Sequence, residues 1–200
     1  MRVPSIAFLL FLGAAAAACN PPPPDTRDYA TRMAAMRAAK DAQFQRESYP
    51  VPEVRKAGLL PLLYFSVDPV YNVPAVLTPS TNGEIILMPT TSGKPRRERR
   101  AGTLAFTLKG EPLTLSAFVD ADAPDMNHLF VPFRDLTAGV ETYEAGRYLE
   151  LSRTGTGFYE LDFNAAFNPF CYYSPDVECP IPPPENRLKV RIEAGEKIKK

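Results

Sequence analysis

The sequence predicts a mainly β protein: a single antiparallel barrel- or sandwich-like domain preceded by an N-terminal helix. Three observations carry this. Short runs rich in β-branched and aromatic residues recur beyond position 60, broken by Gly, Pro, Asn and Asp. No helix-length segment separates the later runs, which argues against a parallel α/β sheet. Proline accounts for 22 of 200 residues, about twice its usual share of ~5%, so turns and strand edges dominate over long helices.

In chain order, residues 1–18 read as a secretory signal peptide. "MRVPSIAFLLFLGAAAAAC" carries one Arg, an apolar run from Ile6 to Leu12 and then small residues, a pattern too short for a comfortable membrane span. The small residues lead into Cys19. "AAAC" is similar to the bacterial lipobox, in which the Cys is acylated, although Ala16 stands where that motif prefers Leu. The alternative is an ordinary cleaved signal with a free Cys19 nearby. Residues 19–24 then supply the lipid-attachment Cys and a stiff, proline-rich spacer. The expected partner is the membrane, through an N-terminal lipid. The expected location is the cell envelope, lipid-anchored and periplasm-facing, with Asn20 tilting sorting toward the outer membrane.

Residues 25–48 read as a helix. Asp25 or Thr26 can cap it, and Tyr29, Met33, Met36 and Phe44 fall near one face. Pro50 and Pro52 end it. Residues 50–200 form the β domain. "LLPLLYFSV", "VYNVPAVL", "EIILMPTT", "TLAFTLKG", "PLTLSAFVD", "LFVPF", "RYLEL", "FYELDF" and "LKVRIEA" are the expected strands, with a hairpin turn at Gly110–Glu111. The basic run Lys94–Arg100 reads as a solvated loop leading into a strand, or as a patch for anionic lipid. The acidic run Asp120–Asp125 reads as a surface loop. It lacks the glycine and distant Glu of an EF-hand, so no metal is expected there.

Lys and Arg together number 23, as do Asp and Glu, so no global field directs the protein to nucleic acid. Cys171 and Cys179 are eight apart, with a turn-like "SPD" holding one proline between them. Outside the cytoplasm such a pair is expected as a disulfide, worth roughly 2–3 kcal/mol in the chain-entropy account. Free thiols or a metal site are the alternatives, the latter short of ligands because His128 is the only histidine.

Two stretches concentrate polar side chains. One carries Arg134, Asp135, Tyr143, Arg147 and Tyr148; the other carries Asp162, Asn164, Asn168, Glu185 and Asn186. Converging at one mouth of a barrel, these would bind a small polar or anionic ligand, since Arg offers a planar fork, Tyr a flat face and Asn fixed hydrogen bonds. The competing reading is a structural clasp, in which the same groups satisfy backbone and buried charge. No nucleophile elbow, zincin motif, P-loop or dinucleotide fingerprint is present, and no cofactor is expected. A carboxylate pair such as Asp162 and Glu185 leaves an envelope hydrolase open. A scaffold for partner proteins is the third possibility.

Three segments, "LPLLYFSVDPVYNVPAVL", "LFVPFRDLTAGVETYEAGRYLEL" and "LDFNAAFNPFCYYSPDVECPIPPPENRLKVRIEAGEK", together resemble the DUF1684 family of bacterial and archaeal proteins of unknown function. The resemblance runs from about Lys40 to Lys197, with Phe167 and Phe170 where the family usually has Tyr. It implies one domain over that span and no particular activity.

Overall fold

The computed structural model describes residues 27–199. The signal peptide, Cys19, the spacer and the expected caps Asp25 and Thr26 lie outside the described residues. Helix α1 spans Tyr29–Arg46 and is capped by Asp28, whose carboxylate accepts from the Thr31 amide at 3.0 Å. It starts four residues later than the sequence suggests, because Asp28 is the residue whose side chain reaches back into the first turn.

A second helix, α2 (Glu53–Leu59), opens the region expected to be all β. Residues 60–66 are extended but form only one bridge, Tyr64 with Glu196, so "LLPLLYFSV" is not a strand. Its apolar residues fill a small core instead. Val51, Leu59 and Leu62 pack with Phe44 of α1 and with Tyr173 from the C-terminal region.

Seven strands follow: β1 Asn72–Pro79, β2 Ile85–Met88, β3 Arg96–Leu108, β4 Glu111–Asp120, β5 His128–Phe133, β6 Arg147–Ser152 and β7 Phe158–Asp162. All pairings are antiparallel, in the order β6-β5-β4-β3-β1-β7 with β2 added beside part of β3, and the sheet curls into a nearly closed barrel. The β3–β4 hairpin turns on Lys109 and Gly110, both at positive φ, as a tight two-residue turn demands. Alternation puts Leu104, Phe106, Leu115, Ala117, Leu129, Val131, Leu149 and Leu161 inside the barrel.

The basic run expected as a loop is the first half of β3. Within it a bulge at Ala101 shifts the register, so that Arg100 pairs with Phe118 but Gly102 with Ala117. Beyond the bulge the even-numbered side chains enter the core. Before it, Arg96, Glu98 and Arg100 face outward. This single extra residue places Glu98 on the outer sheet face, and that face is covered.

The cover is the C-terminal segment 167–196, a clasp whose first part, to Pro180, lies over the outside of β3–β6 and whose later residues Leu188, Ile192 and Ala194 join the barrel core. It includes one short helix, α3 (Phe170–Tyr173), and ends in the stretch expected as a strand, "LKVRIEA", which is extended without being one. Phe167 exchanges backbone hydrogen bonds with Tyr148 of β6, at 2.9 and 3.1 Å. Residues 179–181 pair with the chain just after β2 through Thr91 N to Cys179 O (3.0 Å) and Ile181 N to Pro89 O (2.7 Å). The clasp needs close backbone approach at Gly195, whose φ is 78° and where a Cβ would lie 2.6 Å from the Ala166 carbonyl oxygen.

Candidate functional site

Most of the polar residues singled out in the sequence tie the clasp down. Asn186 is fully buried and bridges two splayed strands: Oδ1 accepts from Ser116 N at 2.7 Å, and Nδ2 donates to the carbonyls of Ser116 (2.8 Å) and Pro132 (2.7 Å). Strands β4 and β5 share a single residue pair, Phe118 with Phe130, so this amide replaces a missing stretch of ladder.

Arg147, 1% exposed, sits at the barrel end. Its guanidinium donates to the carbonyls of Ala194, Glu196 (3.3 Å) and Ile192 (2.9 Å) and to Asp135 Oδ1 (3.3 Å). Asp135 in turn accepts from Ile192 N at 2.7 Å and from Thr137. Burial lowers the Arg147 pKa, and Asp135 opposes that shift. The pair is a knot around residues 192–196, with no guanidinium N–H turned to solvent for an anion.

Asn164 mimics a peptide toward Asp68, accepting from its N–H (3.0 Å) and donating to its carbonyl (2.9 Å). Asp162 accepts from Tyr29 of α1 at 2.8 Å. Asn168 donates its amide to Glu196 (2.8 Å) and Nδ2 to Lys197 O (3.1 Å). Glu196, which sequence reasoning passed over, is a buried hub that also takes Lys40 of α1 and the Tyr173 hydroxyl. Glu185 pairs with Arg100 at 2.7 Å on the surface. Asp162 and Glu185 are thus engaged in separate contacts, one under α1 and one on the clasp. Arg134 is exposed; its backbone, not its side chain, bonds the clasp at Asn186 and Leu188. Tyr143 packs on Tyr172, ring centroids 5.5 Å apart.

The expected disulfide is not formed. Cys171 and Cys179 are free thiols, and the Cys171 amide donates to Cys179 Sγ at 3.0 Å. The clasp is fastened by the amide, guanidinium and carboxylate networks just described, so the ring closure is not what holds it. The Cys179 thiol, the Tyr143 hydroxyl and the Thr91 side chain pull the Cys171 thiol down to about 7, while its half-buried setting opposes them. The same shared proton and burial push Cys179 far up.

One candidate, Tyr148, does line a cavity. Between the clasp and the outer face of β3–β6 lies a space of about 550 Å³, within the range of small-ligand sites. Tyr148, Phe130, Phe167 and Phe170 supply aromatic walls, with Tyr49 at the rim. Tyr148 meets Phe130 edge-on at 4.7 Å and Phe167 at 5.9 Å, and it donates its hydroxyl to Pro180 O. Cys179 and Pro180 complete the wall on the clasp side.

The residue that decides the character of this cavity was hidden in the basic run. Glu98 lines it, is 0% exposed, and neither carboxylate oxygen accepts a hydrogen bond among the described residues. Arg96 Nε lies 2.8 Å from Oε1, outside hydrogen-bond geometry, and Arg96 also contacts Asp120 at 3.1 Å. Desolvation pushes the Glu98 carboxyl up to about 6; Arg96 pulls it down and Asp120 raises it further. The signal that could have found it is parity: Glu98 is the one acid in the Lys94–Arg100 run and sits in register opposite Asp120.

The DUF1684 family of proteins of unknown function matches residues 60–197. The chain belongs to that family. It is also similar to an uncharacterised protein of Haloarcula marismortui whose solution NMR structure is known, with 38% identity, 84% of this chain and 93% of the other covered, and a TM-score of 0.67. Among curated proteins, none matches the chain. The family match takes in β1–β7 and the whole clasp, so in this DUF1684 protein nearly all of the cavity wall, Tyr49 excepted, comes from the family domain.

Proposed function

We propose that this DUF1684 protein is a lipid-anchored envelope protein that binds a small polar ligand in the cavity beneath the clasp. The observation that carries the reading is Glu98: a buried carboxylate whose oxygens accept no hydrogen bond among the described residues and whose one ionic contact is the half-exposed Arg96, facing a space walled by aromatic rings. Leaving such a group unmatched is costly, and a ligand that satisfies it recovers that cost on binding. The clasp supports the reading because Asn186, Arg147 and Glu196 fix its backbone before any ligand arrives. A fragment screen read by amide chemical shifts tests it. Hits that perturb residues 96–98, 128–130 and 148–150 together support the cavity, and hits that map only elsewhere overturn it. The anchoring half is tested by Cys19→Ala, which should move the protein from the membrane fraction to the soluble one.

A carboxylate-dependent hydrolase is the second reading. Glu98 and Asp120 are direct cross-strand partners, and a carboxyl held near 6 beside a carboxylate that the Asp122 amide holds below its usual range is the division of labour that acid–base chemistry uses. On this reading, turnover of a glycan or ester substrate disappears in Glu98→Gln. Binding without turnover sets it aside.

A further inference from the structure

We infer that the cavity selects an organic ammonium ion, a protonated primary amine on an apolar stem, with Glu98 as its counter-charge. This rests on the binding role proposed above and goes on to name the ligand's chemistry. It reverses the sign of charge expected from Arg134 and Arg147, whose guanidinium groups do not line the cavity.

Three features point the same way. The first is donor balance. Neither Glu98 oxygen accepts a hydrogen bond among the described residues, Arg96 Nε touching Oε1 at 2.8 Å outside that geometry and leaving Oε2 without any partner there; an alcohol or carboxylate ligand brings one O–H or none, whereas a primary ammonium brings three N–H groups. Charge-assisted bonds of this kind are about twice as strong as neutral ones. The second is charge. Glu98, Asp120, Asp125, Glu150 and Glu178 line the cavity, against Arg96 and His128. Arg96 is half exposed and divided between Glu98 and Asp120, so it does not neutralise the set.

The third is the wall. Phe130, Tyr148, Phe167 and Phe170 present ring faces and edges to the same space. Rings take an apolar stem by burial and the adjacent cation through their quadrupoles. A quaternary ammonium would satisfy the rings but has no N–H for the Glu98 oxygens, so an N–H-bearing cation matches both halves.

The test titrates the isotope-labelled protein with 2-phenylethylammonium, its neutral counterpart 2-phenylethanol and its anionic counterpart 3-phenylpropanoate, following backbone amides by NMR. The ammonium ion should bind tightest, with shifts centred on residues 96–98, 128–130 and 148–150. Glu98→Gln should weaken it by about tenfold or more, the worth of one charge-assisted bond, and weaken the alcohol far less. Should Glu98→Gln fail to fold, the three-ligand comparison on the unmodified protein decides alone, with Asp125→Asn as a milder rim variant. Alcohol or carboxylate binding in the cavity as tightly as the ammonium ion sinks the ammonium inference and leaves the binding role standing. No shift at the cavity residues with any of the three ligands rejects both.

Discussion

Replacing Glu98 by Gln should stabilise the protein, and only above the pH at which Glu98 ionises. The carboxyl is raised from its ordinary 4.5 to about 6 by burial. The folded state therefore holds a proton that the unfolded chain has already released. Stability from that proton is fully present below about pH 4.5 and is lost as pH rises through about 6. A pKa difference of about 1.5 corresponds to roughly 2 kcal/mol at 1.36 kcal/mol per unit. Water admitted on the cavity side screens part of this, so the expected loss is about 1–2 kcal/mol. Urea unfolding followed by far-UV circular dichroism, for wild type and Glu98→Gln between about pH 4.5 and pH 7.5, isolates the effect because other titrating groups cancel in the difference. The two stabilities should diverge with rising pH, the variant becoming the more stable. Parallel curves over that range would refute the claim that Glu98 is buried as a charge without adequate partners.

Further outcomes follow from the clasp. Asn186→Ala leaves two carbonyls and one N–H buried without partners, and should cost about 3–5 kcal/mol in chemical denaturation. Arg147→Met should cost about as much, because it strands Asp135 as an unpaired buried charge. Glu196→Gln should increase amide hydrogen exchange across α1 more than across β3–β6, since Lys40 and Tyr173 lose their shared carboxylate. Peptide mapping after brief alkylation near neutral pH should find Cys171 modified well ahead of Cys179, consistent with a Cys171 thiol held near 7 and a buried neighbour pushed up. Equal labelling of the two would contradict the shared-proton arrangement.

How far the sequence could be read depended on whether one signal or two acted at each place. Strands β4 to β7 were legible because alternation, turn residues and burial agree there. "LLPLLYFSV" misled because an apolar run gives no period, and its residues serve a side core under α1 rather than a sheet. "LKVRIEA" alternates like a strand, yet its backbone bonds go to Arg147, Asp135 and Leu136 instead of a ladder. The polar constellation was correctly seen as concentrated but gave no hint of direction. Whether Arg147 faces solvent or a ring of carbonyls depends on a segment some 45 residues away. Glu98 escaped because it stands among arginines, where charge suggests a wet loop; only the register change at Ala101 turns it beneath the clasp.

Asn186 does for β4 and β5 what a paired strand would normally do, and it is synthesised after all seven strands. A chain still on the ribosome with β7 just emerged therefore has its hydrophobic strands available but lacks the amide that joins that seam and the carbonyls that surround Arg147. Barrel closure should therefore come late in vectorial synthesis. Premature stop codons at or before position 186 should yield chains with both an open seam and an uncompensated guanidinium, and those between 187 and about 196 chains with the guanidinium alone uncompensated, fit for proteolytic clearance rather than for partial activity.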